Sequence, residues 1–141
     1  MNIIKSTVLH YPKIMWTIIK NTPTLDPLVI FKNSKIYVGY DKENIVGFLT
    51  IKQFGDTTEL GTLYVYPEFR RHGYAEQLSN QAKSDYPKLY LLCTPDMSEI
   101  YSKYGFIVVD HPVGVMKLRK KLFDLFITPM VGYRIVVMKT K

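Results

Sequence analysis

The sequence predicts an α/β protein of mixed α+β character, a mixed sheet with helices on its faces. Three observations lead there. Extended and helical apolar periods follow one another in the order strand, helices, three strands, helix, strand, helix, strand, helix, strand. The segment "KLYLLCT" (Lys88–Thr94) is almost continuously apolar, as a strand covered on both faces is. The chain has 141 residues, 47% hydrophobic and 22% charged, enough for a genuine core and too apolar for disorder.

Ile3–Leu9 is a short apolar segment suited to a first strand. Tyr11, Ile14, Met15, Ile18 and Ile19 recur at helical spacing, and Pro12 suits the first turn of that helix. Asn21–Leu28, "NTPTLDPL", is proline-rich and irregular, with room for a short helical turn. Lys35–Phe54 reads as a hairpin turning at Asp41–Asn44, and Thr57–Pro67 as a third strand ended by its proline. Gly73–Tyr86 reads as a helix with small residues Ala75, Ser79 and Ala82 for close packing on a sheet. Asp96–Tyr104 is another helix, which Thr94 or Asp96 can cap and Gly105 can end. "FIVVD" and "YRIVVMKT" are the last strands. Between them, Val113–Thr128 reads as an amphipathic helix bracketed by Pro112 and Pro129. Its apolar face is Val115, Leu118, Leu122, Leu125 and Phe126, and Lys117, Lys120, Lys121 and Asp124 lie opposite as a solvated face. No repeat, low-complexity segment or linker interrupts the chain, so residues 1–141 read as one domain.

A formal net charge of +7 favours an anionic partner: a phosphorylated cofactor, a nucleic acid or an acidic protein. Cys93 is the only cysteine, so no intrachain disulfide forms. No run of about 18 apolar residues offers a membrane span, and no export signal is seen, which points to the cytoplasm. His10, His72 and His111 are scattered without metal-ligand spacing, so no metal site is expected. Trp16 lies off the apolar stripe of the first helix, and either packs on the second helical segment or lines a cleft.

The stretch "YPEFRRHGYAEQL" (Tyr66–Leu78) carries the chemistry. A strand runs into Arg70, Arg71, His72 and Gly73, and a helix begins at once. The first amides of a helix lack internal partners and carry the positive end of its dipole, and glycine admits a ligand close to the backbone. On physical grounds this makes an anion site with phosphate as its obvious occupant, the alternative being a solvated basic loop. The triphosphate loop G-x-x-x-x-G-K and the dinucleotide motif G-x-G-x-x-G are both absent. What is present is Arg70-x-x-Gly73-x-Ala75 directly after "LYVYPEF". This resembles the acyl-CoA pyrophosphate loop of the GNAT superfamily of N-acetyltransferases. "IYSKYGFIVVD" (Ile100–Asp110), one buried strand later, resembles that family's late helix-to-strand element. The likeness covers Lys35–Asp110 and a final strand at Tyr133–Lys139, while the N-terminal helices match in order only.

The resemblance implies a twisted, mostly antiparallel GNAT-like sheet and acetyl-CoA as cosubstrate. It implies that backbone amides from Arg71 through His72, Gly73 and Tyr74 to Ala75 bind the pyrophosphate, with Arg70 orienting the loop or reaching a phosphate. Leu63, Tyr64 and Val65 would pair with the pantetheine arm, and the Val65 amide would hold the thioester carbonyl as an oxyanion donor does. Tyr101 would stand near the thioester sulfur and protonate or hydrogen-bond the departing thiolate, since a phenol's pKa of about 10 exceeds a thiol's of about 8.5. The alternative for Tyr101 is plain packing. Glu59 would take the proton of the attacking amine, directly or through water, its alternative being a solvated residue at the strand end. Thr94 falls where many members carry an asparagine touching the CoA arm, and a hydroxyl replaces part of that contact. Cys93 is expected to be inert packing on its buried strand.

Together these imply acetyl transfer from acetyl-CoA to a primary amine, on a small molecule or a protein. The competing reading is an inactive GNAT-like module that binds CoA and docks a partner through the Lys117–Lys121 helix. A nucleic-acid binder driven by net charge is the third, without a helix-turn-helix or stacking-aromatic signature beside the cations. The oligomeric state is open, a homodimer included.

Overall fold

A computed structural model describes residues 1–22 and 25–141. Pro23 and Thr24, inside the proline-rich stretch read as irregular, lie outside the described residues. The strands are β1 (Asn2–Thr7), β2 (Lys35–Asp41), β3 (Asn44–Phe54), β4 (Thr57–Val65), β5 (Tyr90–Cys93), β6 (Phe106–Val108) and β7 (Val136–Thr140). The helices are α1 (Pro12–Lys20), α2 (Leu28–Phe31), α3 (Tyr74–Asp85), α4 (Pro95–Lys103), α5 (Gly114–Phe126) and α6 (Thr128–Val131). Their order along the chain is the expected one. All 7 strands join one sheet in the order β1-β2-β3-β4-β5-β7-β6. Every neighbouring pair is antiparallel except β4–β5.

Strand alternation distributes the apolar side chains between two cores. On β2, Ile36 and Val38 turn toward Ile14 and Ile18 of α1 and Val29 of α2, while Tyr37 turns the other way. On that other face Leu49, Leu60 and Leu91 meet Leu78 and Ala82 of α3 and Tyr101 of α4. Burying each large aliphatic side chain contributes about 1.5–3 kcal/mol, so both faces need their helices.

Two irregularities shape the middle of the sheet. The β3–β4 register shifts between Thr50 and Ile51. The parallel β4–β5 pairing spans only Glu59–Tyr90 and Leu60–Leu91. Beyond Leu60 the two strands part, and the β4 backbone from Gly61 to Val65 has no strand on its β5 side. β7 lies between β5 and β6, so the chain passes from β6 through α5 and α6 before inserting its last strand.

Helix α5 corrects the expectation drawn from its own sequence. Leu118, Leu122, Leu125 and Phe126 are between 44% and 63% exposed. Met116 is buried, and Arg119 and Phe123 line the central cavity. The helix therefore turns its Arg119 and Phe123 side to the cavity. Turned the other way it would remove Arg119 from two carboxylates it holds, Asp26 and Glu59, leaving them only Lys52. Stranding a buried charge costs about 3–5 kcal/mol, which outweighs partial burial of a leucine. Pro129 likewise opens the short α6 instead of ending the helical region. Leu118→Ser and Leu125→Ser should each change stability by less than about 0.5 kcal/mol in urea unfolding. A loss above about 2 kcal/mol at either would show that this face is packed inward. Trp16, expected on the second helical segment or in a cleft, is 65% exposed and lines no part of the cavity.

Candidate active site

The parting of β4 and β5 opens a cavity of about 310 Å³. Leu63, Tyr64 and Arg70 line it from β4 and the following turn, and Cys93, Thr94 and Tyr101 from β5 and α4. Asp26, Glu59, Arg119 and Tyr133 line it as well. The sequence-derived residues Glu59, Leu63, Tyr64, Arg70, Thr94 and Tyr101 therefore meet around one space. Val65, the last residue of β4, and the loop from Arg71 to Ala75 do not line it.

That loop is built for backbone approach. Arg71 has φ 64° and Gly73 has φ 76°, both in the left-handed region, the second the natural place for a glycine. No side chain caps α3, and its first internal bond runs from the Gln77 N–H to the Gly73 carbonyl. The N–H groups of Tyr74, Ala75 and Glu76 thus have no helical partner. The Arg70 side chain is committed to the loop: Nε donates to the Val65 carbonyl at 3.0 Å, and the guanidinium lies over the Tyr64 ring. His72 Nδ1 lies 2.8 Å from the Arg70 carbonyl, and its ring stacks on Tyr74. Tyr74 in turn donates to Asp41 at the β2–β3 turn. These side chains tie the turn down and leave its amides free.

Tyr101 is buried, edge-on to Tyr104 and Phe106, with no hydrogen bond to its hydroxyl among the described residues. Burial, with Cys93 and Tyr104 adding to it, raises its pKa well above the ordinary phenol value, so the hydroxyl keeps its proton. Cys93 is buried, and burial with Asp96 nearby pushes its thiol up to about 12. A thiol held protonated is no nucleophile at neutral pH, as expected of packing. Thr94 caps α4, its hydroxyl accepting from the Met97 N–H at 3.4 Å.

Glu59 is neither solvated nor at a strand end: it is the third residue of β4 and 2% exposed. Its Oε1 and Oε2 accept from Arg119 Nη2 and Nε, each at 3.1 Å, and Lys52 Nζ lies 3.0 Å from Oε1. Lys52, fully buried, also donates to Asp26, and Arg119 Nη2 reaches Asp26 at 3.3 Å. The sequence reading missed Asp26, Lys52 and Arg119. Each comes from a different element, and no local spacing links them. Thr62, another cavity-lining residue, has a buried hydroxyl without a partner among the described residues.

Burial works to raise the Asp26 pKa, but the Lys52 charge and hydrogen bond, the Leu28 N–H and Arg119 together hold it below the ordinary carboxylate value. Burial also opposes the Arg119 charge, and Glu59 and Asp26 more than offset it. A depressed carboxylate contributes stability that is complete above the unfolded pKa and is lost as pH falls through the folded one. Stability should therefore be insensitive to Asp26 above its reference value of 3.8 and fall below it. Urea unfolding from pH 6 to pH 2 checks this, and Asp26→Asn should flatten that acid-side fall.

The family described as acetyltransferase (GNAT) domain matches residues 32–108, more than half of the chain. The chain belongs to the GNAT acetyltransferase family. The matched region of this GNAT protein runs from the end of α2 to the end of β6, and so contains the parted strands, the basic turn and Tyr101. Among solved structures, it is similar to a GNAT family acetyltransferase from Elizabethkingia anophelis with acetyl-CoA bound, at 16% identity and TM-score 0.72, covering 99% of this chain and 98% of that one. It is similar to a Mycobacterium tuberculosis protein in complex with CoA, at 14% identity and TM-score 0.72, covering 99% and 98%. It is also similar to N-acetylglutamate synthase from Neisseria gonorrhoeae, at 15% identity and TM-score 0.70; the match covers 99% of this chain but only 35% of the synthase. No curated protein matches the sequence. Among the described residues, no helix is long and apolar enough to cross a membrane.

Proposed function

We propose that this GNAT protein transfers an acetyl group from acetyl-CoA to the primary amine of an acceptor. The observation that carries this reading is the cavity between β4 and β5, which unites Glu59 with Tyr101 and is lined by Arg70 of the turn that leads into α3, a helix start with no side-chain cap. The solved GNAT neighbours with acetyl-CoA or CoA bound support the same cosubstrate.

The chain's own groups fit acetyl-CoA. The amides from Arg71 to Ala75 and the dipole of α3 suit a pyrophosphate. The edge of β4 at Leu63–Val65, which no strand covers and where Arg70 takes only the Val65 carbonyl, suits the amides of a pantetheine arm, and Thr94 can add a hydroxyl. The bound thioester would supply the activated acetyl group. In the protein, the Val65 N–H polarises the acetyl carbonyl. Glu59 accepts a proton from the amine, directly or through water. A carboxylate has about four acceptor sites, and Arg119 and Lys52 occupy three, leaving one. Tyr101, holding its proton, donates toward the sulfur as negative charge collects there. Holding both reactants in one cavity supplies several kcal/mol by proximity alone.

The direct test is acetyl-CoA binding and amine-stimulated thiol release. Gly73→Val puts a β-branched residue at positive φ in the loop, and should raise the acetyl-CoA Kd about tenfold or more with the protein folded. Unchanged affinity in that variant, or thioester loss that no amine stimulates, would sink the reading.

A further inference from the structure

We infer that the acceptor is a small amino carboxylate, whose carboxylate is received by Arg119. This rests on the acetyl-transfer reading above and adds the chemistry of the acceptor. Of the five N–H donors of a guanidinium, Arg119 commits three: Nε and one Nη2 hydrogen to Glu59, and the other Nη2 hydrogen to Asp26. The remaining two, on Nη1, have no partner among the described residues. Arg119 is a cavity-lining residue whose side chain is only 19% exposed. Its position is over-determined by two carboxylates and by the Phe54 ring, whose centroid lies 5.3 Å from the guanidinium carbon. A rigid, poorly solvated guanidinium with spare donors is an anion receptor, and its planar geometry matches a carboxylate.

Charge decides which anion. Lys52 and Arg119 are matched one for one by Asp26 and Glu59, so the cluster is neutral. In a partly enclosed cavity such a neutral cluster favours a guest of no net charge beside it; Arg70, the other charged lining residue, is tied to the Val65 carbonyl and the Tyr64 ring. An ammonium and a carboxylate on one molecule meet that condition. A simple alkylammonium brings one uncompensated charge, and a phosphate brings nearly two of the opposite sign. Arg119 and Glu59 touch each other, so a guest can reach both with groups a few bonds apart. The cavity of about 310 Å³ also has to hold the thioester arm, which leaves space for a small molecule only.

The experiment measures thiol release from acetyl-CoA by the full chain, with the proteinogenic amino acids and their C-terminal amides as paired acceptors. Free amino acids should exceed their amides in kcat/KM by about tenfold or more, the worth of a charged hydrogen-bonded contact. In Arg119→Lys the ratio should collapse toward one through the KM of the carboxylate acceptor. Wild-type protein that binds acetyl-CoA and prefers amides, or turns over no carboxylate-bearing amine, would overturn this inference and leave the cosubstrate assignment standing. Wild-type protein that does not bind acetyl-CoA would overturn both. If Arg119→Lys fails to fold, the wild-type ratio decides alone.

Discussion

Tyr101→Phe should lower kcat on the order of a hundredfold while KM for acetyl-CoA stays within about twofold. The substitution removes one oxygen and keeps the ring that packs on Tyr104 and Phe106. No hydrogen bond within the described residues is lost, so urea unfolding should show little change. The raised pKa of Tyr101 adds a pH signature. A group that stays protonated far above neutrality puts no descending limb in the kcat profile before strongly alkaline pH. A loss of less than about threefold in kcat would show that Tyr101 is a packing residue, and that the sulfur leaves without its help.

Glu59→Gln is expected to act on two readouts at once. The amide keeps the size of the side chain but leaves Lys52 and Arg119 sharing only Asp26, which is itself partly exposed. With Glu59 2% exposed, solvent gives little compensation, and the expected loss is about 3–5 kcal/mol in urea unfolding. If Glu59 is also the proton acceptor, kcat of the folded fraction falls by about 10² or more. A large stability loss with kcat preserved would make Glu59 an anchor for α5 and dismiss it as base. Unaltered stability would contradict the ion cluster itself.

The two proposed catalytic residues differ in how far the sequence could describe their surroundings. Tyr101 was legible because its neighbours are sequential: Lys103, Gly105 and Phe106 follow in a helix-to-strand pattern that the structure reproduces in α4 and β6. Glu59 was named, but its surroundings were not. Reading it as either base or solvated end missed that Lys52, seven positions earlier, pairs with it across the β3–β4 ladder. Arg119 was not singled out among the polar residues of its helix. Its inward turn follows from carboxylates more than fifty positions away, at Glu59 and Asp26. The leucine stripe of α5 misled for the same reason: periodicity reports that a helix is amphipathic, not which side meets the protein.

By itself the sequence determined the order of elements, the mixed sheet with helices on its faces and the basic glycine turn at Arg70–Ala75 that leads into a helix. Those depend on local periods, on glycine at positive φ and on free amides at a helix start, all properties of neighbouring residues. Only the tertiary structure decided the orientation of α5 and the meeting of Asp26, Lys52, Glu59 and Arg119 beside the cavity. Buried charges must find partners wherever the fold brings them, and that demand acts through space.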